Sequence, residues 1–513
     1  MRLRELSRRL RVVFAMLASV SALAGGCMVG PDYVRPSVEQ PPRFKSQADG
    51  EPGPPVPTEW WQLYRDPDLD QLIATARASN QNIRLAVARV DEARALARVA
   101  GSYLYPTIGA NPSFSHARYS ANRVSTVTGK KVTTGATVND WLIPIDLAYE
   151  IDVWGRVRRS FESARATAAA TADDVGVVRL TVETDVARYY YTLRWLDAQA
   201  QILKETVTAY EEQVRLLSVQ LRTGLVSAIV VHQAQAQLQT TLAQQRDVER
   251  ARADQEHALA ILCGQPAPSF AVAPNPLHES TPPAVPPGLP AELLGRRPDV
   301  AEAEQNVMAA NAQIGVATAE FYPRFTLTSS AGFESADVST LFNWQSRVAS
   351  ILPSISIPIF QGGRLRANLA ASKARYEQTV ATYVNQVLVA YGDVEDGLTD
   401  LHALSDEVGR LSDAVGASQN YLRLAQVQYR QGLADYLIVI DAERTLLANQ
   451  LSLAQAVNLQ MGASIRLIKA LGGGWNASED SAPGHIPRGE SAASEAGDVG
   501  TRERSGVLRL DQQ

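Results

Sequence analysis

The stretch WLIPIDLAYEIDVW, residues 141–154, runs without a break into a helix-forming segment that lasts to Gly224, and the architecture follows from that junction. Trp141, Ile143, Ile145, Leu147, Tyr149 and Ile151 alternate with Leu142, Pro144, Asp146, Ala148, Glu150 and Asp152. A period of two with one apolar side is the pattern of a half-buried strand. At Gly155 the period changes. From Arg156 the chain is Ala-rich and charged, holds no Pro, and has only Gly176 before Gly224. This predicts one unbroken helix: about 68 residues at 1.5 Å rise span roughly 100 Å, longer than any soluble globular core.

The amino terminus says where such a rod would work. Arg2, Arg4, Arg8, Arg9 and Arg11 form a basic region, and Val12 to Ala24 is apolar but too short to span a bilayer. Residues 1–26 therefore read as a secretory signal. Gly25-Gly26-Cys27 resembles a bacterial lipobox, with Ala24 where Leu is usual, which makes Cys27 the expected acylated residue. An ordinary signal peptide with an incidental cysteine is the alternative. Met28, rather than Asp, after the cysteine favours the outer membrane by analogy with bacterial lipoproteins. One acyl chain anchors weakly, so firm attachment needs several chains or an embedded body. No apolar run of 18 residues or more follows the signal, so an outer-membrane protein of this sequence must cross as a β-barrel. The other cysteine, Cys263, ends an apolar helix (ALAILCG) and has no partner for a disulfide.

In chain order, residues 27–65 are extended and Pro-rich. A helix is expected from Asp66, its cap, to about Tyr103, ended by Tyr105-Pro106. Thr107–Tyr119 reads as a strand, Thr128 to Lys131 as a turn, and Ser227–Leu262 as a helix returning from Gly224. A Pro-rich connector, residues 266–290, follows. The pattern then starts again, as internal repeats do. Leu293–Phe321 is a helix closed by Tyr322-Pro323. Phe325 to Phe333 alternates, as do Ile351, Ile355, Ile357 and Ile359, and a second rod runs from Gly363-Arg364 to Gly432. Gly155 and Gly363 differ by 363 − 155 = 208, and Gly224 and Gly432 by 432 − 224 = 208. The domains are thus residues 66–265 and 291–474, two copies of one unit, with a polar tail at 475–513 read as disordered. The Pro-to-Gly interval is longer in the first copy, 155 − 106 = 49 against 363 − 323 = 40, which gives the first hairpin the larger expected loop.

Four strands cannot close a membrane barrel, which begins at eight, so the chain must oligomerise. The Trp141 strand offers its apolar side to lipid and Asp146, Glu150 and Asp152 to a water-filled lumen. A soluble sandwich strand has the same alternation, but the signal peptide and the rods favour the barrel. Leu193, Leu196, Leu203, Val207, Tyr210, Val214, Leu217 and Leu221 form a helical stripe of the kind that faces a core. Such stripes on paired rods fit a hollow helical cylinder continuous with the barrel, or alternatively a solid coiled-coil stalk. The stripes are broader than a two-position seam, which favours the cylinder.

Five motifs stand in order: Cys27 to Pro36 (CMVGPDYVRP), Tyr149 to Arg158 (YEIDVWGRVR), Arg297-Pro-Asp-Val300, Pro358 to Arg364 (PIFQGGR) and Tyr436 to Asp441 (YLIVID). Together they resemble the outer-membrane factors of the TolC/OprM type, in the NodT lipoprotein branch. The resemblance covers Cys27 to Gly474. It implies mixed α and transmembrane β structure: a homotrimer with a 12-stranded outer-membrane β-barrel, four strands per chain, continuous with a periplasmic α-barrel. It implies the exit duct of a tripartite efflux pump, with a periplasmic adaptor and an inner-membrane transporter of the RND class as partners. By position, Arg222, Gly224 and Leu225, and Arg430, Gly432 and Leu433, match tips that meet the adaptor. Asp441 and Tyr429 match a closing acid and tyrosine of the periplasmic gate. Two acids common in the family are Val230 and Ile438 here, so closure by apolar packing is expected.

Other functions find little in the sequence. Net charge is −5 with no basic stripe, against nucleic acid. His116, His232, His257, His278, His402 and His485 are scattered, and no metalloprotease, phosphate-binding, nucleophile-elbow or dinucleotide motif occurs. No cofactor, metal or enzyme activity is expected. The alternative duct function is type I protein secretion, which the same fold would serve. A non-transporting envelope tether is a third reading, disfavoured by the lumen acids.

Overall fold

The computed structural model describes residues 28–46, 56–122, 135–277, 281–285, 288 and 290–476. The signal peptide with Cys27, the turn expected at Thr128 to Lys131 and residues 477–513 of the tail lie outside them. In order, the elements are α1 (Pro67–Ser79), α2 (Gln81–Ser102), β1 (Thr107–Ala110), β2 (Ser113–Tyr119), β3 (Ala136–Ile151), α3 (Arg156–Arg222) and α4 (Ala228–Leu262). There follow α5 (Pro290–Arg296), α6 (Pro298–Ala319), β4 (Arg324–Ser335), β5 (Arg347–Ser356), α7 (Arg364–Arg430) and α8 (Tyr436–Ala470). Short 3-10 turns occupy some of the connections.

The rods α3 and α7 each have 67 residues, and the return helices α4 and α8 each have 35. Every boundary of these four helices is displaced by one offset: 364 − 156, 430 − 222, 436 − 228 and 470 − 262 are all 208. No described helix is both long and apolar enough to cross a membrane.

Two expected helices are each broken in two. The first breaks at Asn80, whose backbone is extended and whose side chain caps α2 by accepting from Asn82 N (2.8 Å) and Ile83 N (3.2 Å). Asn80 also donates to Leu262 O at 2.8 Å, fixing the break against α4. The second breaks at Arg297, just before Pro298, because a residue preceding proline is pushed out of the helical region. Asp66 caps α1 as expected, accepting from Asp68 N and Leu69 N.

The sheet is antiparallel, with β1 and β2 both on one side of β3, then β4, then β5. β1 and β2 are one interrupted strand: Ala110 faces Ile145 and Ser113 faces Leu142, so the register carries through Asn111-Pro112. That interruption sits opposite Ile143 and Pro144. It explains a proline inside a central strand, since Pro144 has no N–H to give and its neighbour on that side asks for none. On the other side Pro144 faces Gly332, where a Cβ would collide with the Ile143 carbonyl. Ile357 and Ile359, expected to extend the alternation, lie beyond the end of β5. The extra length of the first hairpin goes partly into strand, since β3 has 16 residues and β5 has 10.

The main core lies midway along the rods. Trp60, Leu69 and Ile73 pack on Tyr190 and Leu193 of α3, on Leu259 of α4 and on Met461 and Ile468 of α8. Asp66, besides capping α1, accepts from the Tyr190 hydroxyl at 3.0 Å and pairs with Arg194 at 2.6 Å. A second cluster joins Leu293, Val300 and Val307 to Tyr383, Val387, Ala390 and Val394 of α7. Arg297 stitches this region, pairing with Asp299 (2.6 Å) and Asp393 (3.0 Å) and donating to Ala470 O (3.1 Å).

Candidate functional site

Three places carry the expected site residues: the sheet, the joint between sheet and rod, and the tips. On the sheet, cross-strand register sorts side chains by face. Ile145, Leu147, Tyr149 and Ile151 lie with Ala331, Ser329, Leu327 and Phe325, and with Ile355 on β5. The opposite face carries Asp146 against Ser330, Ala148 against Thr328 and Glu150 against Thr326. Asp146 accepts from Asn111 Nδ2 at 3.0 Å. The apolar face is bare in the single chain: Ile108, Ile145, Ile351 and Ile355 are all exposed.

The joint uses the remaining acids. Asp152 lies after the end of β3. Its carboxylate accepts from Val157 N (3.1 Å) and Arg158 N (2.9 Å), placing negative charge on the amino end of α3, where the helix dipole favours it. Asp152 therefore anchors the rod rather than lying on the strand with Asp146. Glu150 holds Arg156 through two 2.8 Å hydrogen bonds, the two-pronged geometry that makes such pairs directional. Trp154 donates to Pro323 O at 2.9 Å and stacks on Tyr322, tying the two repeats together. Gly155 has φ 82, and a Cβ there would meet Met28 at 2.8–3.2 Å. The described chain thus begins against the joint, with Val29 N donating to Trp154 O. From there it follows the rods: Asp32 pairs with Arg159, Arg35 with Glu304, and Phe44 is buried.

At the tips the two repeats close alike. Leu225 N donates to Gln220 O and Leu433 N to Gln428 O, both 2.9 Å, a capping motif that needs a left-handed residue just before it. Gly224 (φ 77) and Gly432 (φ 73) supply it, with nothing within 4 Å of where a Cβ would stand. Arg222 and Arg430 are exposed, and Leu225 (75%) and Leu433 (74%) project into solvent.

Above the tips, Leu217, Val231, Ala425, Tyr436, Val439 and Ile440 form an apolar cluster, with Val230 packed against it. Tyr429 donates to Gln220 Oε1 at 3.3 Å and meets Tyr436 edge to face. Asp441 is exposed and accepts from Tyr421 at 3.1 Å. Asp441 and Tyr429 are therefore not bonded to each other; each has its own partner. Sequence reasoning missed Gln213, Gln220, Tyr421 and Glu443, and quoted Tyr436 only as the start of a motif. A signal was available: at the 208 offset, Gln213 becomes Tyr421 and Glu443 replaces Gln235, so the repeats diverge where the hairpins touch.

A sheet apolar on one face and polar on the other, carried on paired rods of roughly 100 Å, defines a segment of the wall of a membrane duct. The chain belongs to the outer membrane efflux protein family, whose model matches residues 72–265 and 289–473, one long rod in each part. The toluene efflux pump outer membrane protein TtgI of Pseudomonas putida is 34% identical over 475 residues, covering 91% of this chain and 98% of that protein. The cation efflux system protein CusC of Escherichia coli is 31% identical over 455 residues, covering 88% and 96%. The outer-membrane channel OprN superposes with a TM-score of 0.82 at 29% identity, covering 88% of this chain and all of that one. The protein is an outer-membrane efflux channel.

Proposed function

We propose that the chain forms, as a homotrimer, the exit duct of a tripartite pump that passes small toxic compounds out of the periplasm. Its partners are a periplasmic adaptor and an inner-membrane transporter of the RND class. The observation that carries this reading is the pair of unsatisfied edges. The four-stranded sheet leaves β5 open on one side and the interrupted β1–β2 strand open on the other, and an open edge asks for another strand. Head-to-tail copies satisfy both edges only by closing a ring. Three copies give twelve strands and bring each α7 against a neighbour.

In this ring Asp146 and Glu150 face the lumen, and Asp152 holds the wall to the rod. The exposed Leu225 and Leu433, with Arg222 and Arg430 beside them, are the docking points for the adaptor. Asp441 and Tyr429 line the closing end, where Val230 adds apolar packing. Acylation of Cys27 fits the position of Met28, which lies at the joint where the barrel leaves the membrane. The wall units are residues 66–265 and 291–474, and no catalysis is assigned to either. TtgI is the outer membrane protein of a toluene efflux pump, and small apolar compounds of that kind are the substrate class proposed here.

Deletion of the gene, scored against solvents, dyes, antibiotics and metal salts, with co-purification of the adaptor, tests this reading. Hypersensitivity together with an adaptor paired to an RND transporter supports it. Unchanged sensitivity with loss of a secreted protein overturns it in favour of type I secretion.

A further inference from the structure

Within one chain the tip end is made of two hairpins, α3–α4 and α7–α8, and parting them is one way for that end to widen. Between them lies a half-buried acid. Glu443 of α8 sits opposite Gln213 of α3. With its amide oriented to satisfy both neighbours, Gln213 donates to the two Glu443 carboxylate oxygens at 3.1 and 3.3 Å, and its carbonyl accepts from the Tyr436 hydroxyl. Tyr210, Gln237 and Ile440 complete the wall around this contact. The repeat carries no counterpart: 443 − 208 = 235 is Gln235 and 213 + 208 = 421 is Tyr421. The acid is thus placed only where the second hairpin meets the first rod.

We propose that Glu443 is the latch that holds the α7–α8 hairpin on α3, and that its protonation keeps the tip end closed while its ionisation releases it. This deepens the channel reading and rests on it. The groups around the carboxyl favour this direction. α3 brings Tyr210 and Gln213, with Glu212 already paired to Arg215. α4 brings Ala234 and Gln237, which carry no charge. α7 brings Tyr429 and Arg430 to the adjoining groove, and α8 brings Tyr436 and Arg444. Among the described residues no cation lies within ion-pair distance of Glu443. Burial therefore pushes its carboxyl up to about 7, only partly opposed by the Gln213 hydrogen bond. When the hairpins part, the carboxyl gains water and returns toward the ordinary value of 4.5. The closed form then holds the proton more tightly than the open form. Linkage gives the sign: between about pH 5 and 7 a rise in pH favours opening, and above 7 the effect levels off. From pH 6 to pH 8 the open-to-closed ratio should rise about tenfold.

The full-length protein, spin-labelled at Leu225→Cys and Leu433→Cys and diluted among unlabelled protomers, reads the hairpin separation directly. The expected result is a shift of the distance distribution to longer values from pH 6 to pH 8. In Glu443→Gln, which keeps the hydrogen bonds of the protonated acid, the distances should stay short at both pH values, whereas Glu443→Leu should give long distances at both. Equal pH shifts in Glu443→Gln and the unsubstituted chain would overturn the proposal and assign the response elsewhere, for instance to Glu302, which burial also raises to about 7. Long distances at both pH values in Glu443→Gln would overturn it too. Conductance of the same preparations in planar bilayers tests the channel reading separately, because the distances report on the latch whether or not the assembly conducts.

Discussion

The rods α3 and α7 are copies in length and spacing and opposites in surroundings. α3 buries side chains from Val157 to Leu217 along its whole course. α7 buries only Tyr383, Val387, Ala390, Val394, Gly397, Ser418 and Ala425, and leaves Leu388, Val389 and Leu424 in solvent. Their joints differ in the same sense. Gly155 is packed by Met28, whereas Gly363, with nearly the same φ, has nothing within 4 Å of its missing Cβ. A duplicated unit has thus produced one interior rod, surrounded by its own chain, and one border rod left exposed in the single chain. Sequence symmetry sets length and turn chemistry, while position in the wall decides burial.

The severest way to break this contrast is to cut the tie of the border rod to the body. Arg297→Leu removes the ion-pair partner of Asp299, which keeps Gln386 and the Val300 N–H, and of the half-exposed Asp393; the expected loss is about 3 kcal/mol, the low end for breaking a buried pair. Chemical unfolding of the detergent-solubilised protein measures it, and a loss below about 1 kcal/mol would mean that α7 is held by other contacts. Next in size is the pair of joints. Alanine at either glycine meets the left-handed penalty of about 1–2 kcal/mol. At Gly155 it must also displace Met28, so Gly155→Ala should be the costlier by about 1 kcal/mol or more. Equal losses in thermal unfolding would show that the amino-terminal segment yields freely.

The smallest effects on stability should come at the tips. Leu225→Ser and Leu433→Ser touch exposed side chains and should change stability by no more than about 0.5 kcal/mol. Recovery of the adaptor on the purified channel should nevertheless fall sharply; undiminished recovery would place docking elsewhere. Asp441→Ala should leave single-channel conductance near its starting level, because Val230, Val439 and Ile440 still pack below it. A wide opening in that variant would instead assign closure to the acid alone.

Much of this was legible in the sequence because it is periodic. The alternation at Trp141–Asp152 and the proline-free rods each follow from local spacing, and the 208-residue offset needed only a glycine at each end. The break at Asn80 was not legible, since helical spacing continues across it; the break at Arg297 was signalled by Pro298, which the helical spacing on either side overrode in the reading. At Asn80 the break is secured by a bond to Leu262 that lies 182 residues away in the chain. Ile357 and Ile359 kept the alternation but fell past the last ladder partner, which a single strand's pattern does not reveal. At the tips, Gly224 and Gly432 announced the turns. The contacts of Gln213, Tyr421 and Glu443 depend instead on which helix lies beside which. Asp152 was misread as part of the strand because its parity matched, although the backbone had already turned to start the rod.

The equal lengths of α3 and α7 have a consequence for how this chain can change. In the proposed ring, rods of 67 residues and return helices of 35 in both halves would give every hairpin the same length to present to a partner. An insertion in one rod alone would make a crown of alternating tall and short points, against which no evenly built collar could seat. Growth or trimming of the duct must therefore come in matched pairs, one edit in each half of the chain, or be confined to the sheet and its outer loops, where the two halves already differ.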